Sequence, residues 1–230
     1  MESVVAIIQA RMGASRLPNK MLLHLHGYPI VEWVYRRVSK ARKIDRIIFA
    51  LPDTPQDNLL SWYLESIGAE VYRGSETDLV DRYYQAAKKT KAEYVVRICA
   101  DNPLICASEI DRLIDYFAQY SCDYAYNHIP KNNRYPDGLG AEICRMETLE
   151  KIHAEARKPE YREHLFNYIW DNQTKYTIKT FDPPEDLAYS ELKLDVDNMN
   201  DYKKLLEKQY RIDMSAQQVV NLTLRNERYE

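Results

Sequence analysis

The sequence predicts an α/β domain: a mostly parallel, mixed central sheet with helices on both faces. Three observations lead there. Short β-branched runs, which read as buried strands, alternate with apolar stripes at helical spacing. Four such strand–helix units follow one another between Val4 and Phe117, and units of this kind join parallel strands through right-handed crossovers. At 230 residues the chain is long enough for one substantial core. A single domain over residues 1–230 is expected, with an excursion over about residues 127–190.

The elements follow in order. Residues 4–8 are a strand. Pro29 stands at a first helical position, and Ile30, Val31, Val34 and Val38 recur on one face after it. Residues 46–51 are a second strand, 56–67 a helix stopped by Gly68, and 70–72 a third strand. Leu79, Tyr83, Ala86 and Ala87 share a helical face, and residues 94–98 are the fourth strand. Ser108 caps a helix whose buried stripe is Ile110, Leu113, Ile114 and Phe117. The rhythm breaks after Tyr124. Residues 127–140 read as a loop, 141–144 as a strand, 147–156 and 161–170 as helices, and 176–181 as a strand. After the turn Asp182-Pro183-Pro184, a strand-like return over 192–197 precedes a helix at 199–210. Residues 215–224 form a short last helix, and 225–230 a frayed end.

Composition narrows the function classes. A net charge of −3 gives no general attraction to nucleic acid or anionic lipid. No apolar run approaches the roughly 20 residues of a membrane span, and the start, Met1-Glu2-Ser3, lacks the basic region of a secretion signal. Cys99, Cys106, Cys122 and Cys144 form no Cys-x-x-Cys pair and complete no zinc pattern with the histidines. A reduced, cytoplasmic protein is expected, without nucleic-acid or membrane partners. Nineteen tyrosines offer amphipathic packing surface, of which a dimer interface is one use.

The most informative segment follows the first strand: Gln9-Ala10-Arg11-Met12-Gly13-Ala14-Ser15-Arg16-Leu17-Pro18-Asn19-Lys20. It matches neither a Walker loop nor a dinucleotide fingerprint. A basic loop at the carboxyl end of a buried strand suits a polyphosphate, because backbone N–H groups line the turn while Arg11, Arg16 and Lys20 supply charge. Two acidic segments stand at other strand ends, Ala100-Asp101-Asn102-Pro103 and Asp195-Val196-Asp197-Asn198. Singly, Asp101 and Asp197 read more readily as turn or helix caps. Together with the basic loop they suit magnesium, which takes one or two carboxylates plus phosphate oxygens, with Asp195 as support or a third ligand.

At this point the chain resembles the cytidylyltransferases that make CMP-activated acidic sugars, the CMP-Kdo and CMP-acylneuraminate synthetases, and within them the SpsF-like branch of spore-coat polysaccharide biosynthesis. Six blocks in family order carry the resemblance: the basic loop, the segment from Arg73 to Tyr83, the segment from Val96 to Leu104, Tyr135-Pro136-Asp137-Gly138-Leu139-Gly140-Ala141-Glu142, Arg162-Glu163-His164, and the segment from Val196 to Asp201. The resemblance implies a nucleotide-diphospho-sugar transferase-like fold, a homodimer, CTP and Mg2+. Gln9, Ala10, Arg11, Ser15, Arg16 and Lys20 match the nucleotide-binding loop, and Arg73 with Asp78 falls near the base or ribose. Asp101 and Asp197 match the metal-holding aspartates. Asn127, Tyr135, Asp137, Glu142, Arg162 and His164 map to the acceptor side, within the excursion that also serves dimerisation. Three departures stand out: Asn19 and Gly140, where the branch often has glycine and aspartate, and Cys99-Ala100 in place of Thr-Gly.

The reaction this implies is transfer of CMP from CTP to an acidic sugar of Kdo or nonulosonic type, with release of pyrophosphate. Arg11, Lys20, Asp101 and Asp197 are the catalytic candidates. His164 reads equally as a base and as a structural histidine. A glycosyltransferase of related fold, consuming a nucleotide sugar, is the rival reading; a non-catalytic nucleotide sensor is a second. Three loop cations suit a triphosphate better than a diphosphate sugar.

Overall fold

The computed structural model describes residues 3–225. β1 (Val4–Gln9) is an apolar run buried on both sides. After the basic loop come a small ribbon, β2 (His24–Leu25) with β3 (Tyr28–Pro29), and α1 (Ile30–Val38). β4 (Arg46–Pro52), α2 (Asn58–Ser66), β5 (Glu70–Gly74), α3 (Leu79–Thr90), β6 (Tyr94–Cys99) and α4 (Ala107–Gln119) complete the regular alternation. The irregular part holds β7 (Tyr124–Tyr126), β8 (Glu142–Arg145), α5 (Met146–Glu155), α6 (Pro159–Glu163), α7 (Asn167–Asp171) and β9 (Ile178–Lys179). α8 (Met199–Leu206) and α9 (Ala216–Leu224) follow.

The main sheet runs β5-β4-β1-β6-β8-β7-β9. β5, β4, β1 and β6 are parallel, β8 is antiparallel to both of its neighbours, and β9 is parallel to β7. The sheet is therefore mixed and mostly parallel, with one reversed strand. Alternation along each strand divides the core in two. Ala6, Ile8, Phe49, Leu51, Val96 and Ile98 pack with α1, α2, α4 and α9, while Val5, Ile7, Ile48, Ala50 and Val95 pack with α3, α5 and α7. The strand order reverses between β1 and β6, which is where open α/β sheets bind ligands, outside the carboxyl ends.

Several elements differ from the sequence reading. The helix expected over 56–67 begins as a 3-10 turn (Pro55–Asp57), and Gly68 leaves it with φ +80°. Cys106, not Ser108, is the N-cap of α4, and Ser108 lies inside the helix. The helix expected over 161–170 is two short ones, because an extended His164 turns Leu165 and Phe166 into the core. Residues 192–197 form no strand. Leu192, Leu194 and Val196 are buried in alternation, but the backbone pairs with loops: Leu194 N–H donates to Asp137 O at 2.9 Å and Val196 N–H to Asp101 O at 2.8 Å. The strand expected over 176–181 shrinks to β9, and the helix at 199–210 stops at Leu206. The ribbon β2–β3 and the short β7 lack a sequence pattern long enough to read. Of the frayed end expected over 225–230, all but Arg225 lies outside the described residues.

Candidate active site

A cleft of about 870 Å³ opens beyond the carboxyl ends of β1 and β6. Its first wall is the basic loop. Met12 and Leu17 are buried beneath that loop, and the buried Asp57 accepts a hydrogen bond from Met12 N–H at 2.8 Å. Asn19 takes the left-handed conformation, φ 59°. That conformation explains why glycine suits the position and why asparagine, which tolerates it, keeps the loop's path. The turn delivers Lys20 inward, where it is only 8% exposed. Lys20 Nζ donates to Asp101 Oδ2 at 3.0 Å and to Val196 O at 2.8 Å. Arg16 Nη2 donates to Asp197 Oδ1 at 2.9 Å. Ala10, Arg11 and Ser15 also line the cleft. Loop cations and carboxylates from two distant segments thus meet in one place.

Asp195 does not line this cleft. It lies two residues before Asp197 on an extended segment, roughly 6–7 Å further back, and packs over Gly138 and beside Lys193 at 3.5 Å. Among the described residues no three His, Cys, Asp or Glu side chains gather as a metal cage. Of the three carboxylates named from the sequence, Asp101 and Asp197 face the cleft, and Asp195, read there as support or a third ligand, stands behind them. Burial pushes the Asp137 carboxyl up to about 6, with Asp195, Asp197 and Asp101 adding to the effect against Lys193. Burial and the same acidic neighbourhood raise Asp195.

The far wall is built on β1, β6 and α3. Gln9 Oε1 accepts from Tyr83 Oη at 3.2 Å and from Arg97 Nε at 3.1 Å. Arg97, which can only donate, orients the amide with its oxygen toward β6, while the Tyr83 hydroxyl shares its one proton between Gln9 Oε1 and Ile7 O. Arg97 is paired with Glu142, which also accepts from Tyr124 Oη at 2.5 Å and has His128 Nε2 at 3.6 Å. Burial opposes ionisation of Glu142, but Arg97, His128 and Tyr124 together hold it below the usual carboxylate range.

The acceptor-side residues divide. Arg162 and His164 line the cleft. Asn127 and Tyr135 do not; both are fully buried. Asn127 Nδ2 donates to Glu109 O and its Oδ1 accepts from Ala141 N, each at 2.9 Å, while Tyr135 Oη donates to Glu109 Oε2 at 2.9 Å. They tie the loop to α4. Glu142 is the counter-ion of Arg97, and Asp137 sits behind the cleft with Asp195. Gly140 abuts Asn127 so closely that a Cβ would overlap its side-chain and main-chain oxygens. Arg162 is itself committed: Nε and Nη2 donate to Asp78 Oδ2 at 2.8 and 2.6 Å, and Nη1 to His153 O at 3.0 Å. The other oxygen of Asp78 caps α3 through Asp81 N–H at 2.8 Å. Arg73 lies outside the cleft and braces the loop after β4 through Asn58 Oδ1 and Thr54 O.

The structure adds Arg82, Arg97 and Arg157 to the lining. Arg82 and Arg97 had a signal in the sequence. Arg82 falls three residues after Leu79, on the apolar stripe of α3, and Arg97 interrupts the apolar run of β6; a charge at such a position is one the fold must use.

The cytidylyltransferase family model matches residues 5–223, from β1 to α9. This chain belongs to the cytidylyltransferase family. A solved cytidylyltransferase from Leptospira borgpetersenii serovar Hardjo-bovis (strain JB197) aligns with a TM-score of 0.90 at 27% identity, over 99% of this chain and 96% of that one. The spore coat polysaccharide biosynthesis protein SpsF of Bacillus subtilis (strain 168) is 28% identical over 235 residues, covering 98% of this chain and 96% of SpsF. CMP:2-keto-3-deoxy-manno-octonic acid synthetase, solved in complex with CTP, shares the fold at a TM-score of 0.70 and 18% identity, over 90% of this chain and 98% of that one. No helix among the described residues is long and apolar enough to cross a membrane.

Proposed function

We propose that this cytidylyltransferase moves CMP from CTP to an acidic sugar of Kdo or nonulosonic type, releasing pyrophosphate in a Mg2+-dependent reaction. The observation that carries the reading is the convergence of Lys20 on Asp101 and of Arg16 on Asp197 in one cleft. Names of relatives support the nucleotide and the sugar, since SpsF serves polysaccharide biosynthesis and the Kdo synthetase was solved with CTP.

The donor set fits magnesium. Asp101 and Asp197 offer hard oxygens at the cleft, and two carboxylates suffice where phosphates complete the shell. Bound there, the ion supplies charge neutralisation on the phosphates. The chain's own residues do the rest. Arg11, Ser15 and Arg16 grip the triphosphate from the exposed loop, and Lys20 lends a buried point charge toward the departing pyrophosphate. Gln9 Nε2 offers a donor at the nucleoside end. Arg157 and His164 face the acceptor's side of the cleft, with Arg162 fixing that wall through Asp78.

The test is incubation with CTP, Mg2+ and a panel of acidic sugars, reading pyrophosphate release and the CMP-sugar by mass spectrometry. Acceptor-dependent release from CTP supports the reading. Consumption of a nucleotide sugar with no use of CTP overturns it in favour of a glycosyltransferase.

A further inference from the structure

Among the described residues, Arg82 is the buried cation of the cleft with no counter-ion. It is the fourth residue of α3 and only 4% exposed. Its Nη1 donates to Ser75 O at 2.6 Å, but its Nε is buried with no acceptor in reach. The other inward cations are matched: Lys20 by Asp101, Arg97 by Glu142 and Arg162 by Asp78. Burial holds the Arg82 guanidinium below the ordinary arginine range; Arg11 adds a like charge, and Tyr83, Asp57 and Asp78 offset it in part.

A buried charge without a partner is costly, and a second cation beside it raises the cost. An anion bound in the cleft that Arg82 and Arg11 both line supplies the missing countercharge. We infer that Arg82 and Arg11 form a subsite for the polyphosphate of the nucleotide, so that the ligand itself completes the ion pair that the protein lacks. The inference rests on the triphosphate reading of the same cleft and adds to it a residue outside the basic loop. Polyphosphate is favoured over an acceptor anion by position. Arg11 belongs to the loop that carries Ser15, Arg16 and Lys20, whereas the acceptor-side Arg162 already has its carboxylate. A guanidinium fork also matches phosphate oxygens geometrically.

Calorimetric titration of CTP, inorganic pyrophosphate and CMP into the wild type, Arg82→Met and Arg82→Lys tests this. The expected result is a loss of about ten- to hundredfold in affinity for CTP and pyrophosphate in Arg82→Met, a loss below about threefold for CMP, and partial recovery in Arg82→Lys. The melting temperature of the nucleotide-free Arg82→Met protein should hold or rise, because an unmatched buried charge has been removed. Unchanged CTP and pyrophosphate binding overturns the inference, as does an equal loss for CMP. A lower melting temperature with unaltered binding also overturns it and makes Arg82 a strut for Ser75. A wild type that binds pyrophosphate but not CTP overturns the CTP reading alone, and the Arg82 contrast on pyrophosphate still decides the subsite. A wild type that binds neither overturns both.

Discussion

The Lys20 ammonium lies 3.0 Å from the Asp101 carboxylate, bridging 81 residues of sequence. The same nitrogen holds the main chain at Val196. One side chain therefore ties the basic loop to the end of β6 and to the late acidic segment. Lys20→Met should slow acceptor-dependent pyrophosphate release by about a hundredfold or more at saturating CTP. A coupled pyrophosphate assay measures it, and a rate close to wild type would remove Lys20 from the reacting centre.

Asp101 and Asp195 should part company under mutation. Asp101→Asn, at the cleft, should cost about a hundredfold or more in rate and abolish the response to added magnesium. Asp195→Asn, facing Lys193 behind it, should keep the rate within about tenfold of wild type with a normal magnesium titration. Paired magnesium titrations of the two variants provide the comparison, and equal losses would return Asp195 to the metal.

Arg162→Ala should act on the fold as well as on acceptor use. Its two bonds to Asp78 anchor the cap of α3, and its bond to His153 O reaches the end of α5. A loss of about 2–3 kcal/mol in urea denaturation is expected, with Arg162→Lys recovering little because one ammonium cannot reproduce the fork. KM should rise for CTP and acceptor alike. A rise for the acceptor alone, at unchanged stability, would make Arg162 a direct acceptor contact.

His128 sets a pH dependence. Burial lowers its pKa, Arg97 adds to that and Glu142 opposes it. The folded protein thus binds a proton at this ring less readily than the unfolded chain, and stability falls as pH drops through the unfolded value of 6.5. Glu142 adds a further loss at lower pH, beginning as pH falls through its ordinary value of 4.5 and ending below its depressed value in the folded protein. Denaturation midpoints at about pH 7.5, 6.5 and 5.5 should decline in wild type and decline less in His128→Gln. An identical decline in both proteins would place the titrating group elsewhere.

The parts of the fold legible in the sequence were those with one dominant environment. β1, β4 and β6 read as strands because the run itself is apolar. The segment 192–197 misled because Leu192, Leu194 and Val196 alternate as a strand's residues do; alternation reports one buried side and says nothing about a ladder partner. In the cleft, Arg16 and Lys20 were legible as the charges of a loop that follows an apolar strand, and Asp101 and Asp197 as carboxylates at the ends of strand-like runs. Asp78 and Arg162 were named as well and line the same cleft, but their pairing was not legible, because the bond that commits them to each other spans 84 residues. Tyr135 and Asn127 carry polar atoms that suggest a ligand, yet α4 supplies their partners, and only the packing reveals it.

The contact between Gly140 and Asn127 reaches beyond one substitution. Asn127 holds Ala141 on one side and α4 on the other, so a side chain at 140 would unfasten both. An acid placed at 140 would therefore act first on the packing of the loop. A compensating change at Asn127 has to accompany any side chain at 140, so the two positions behave as one unit.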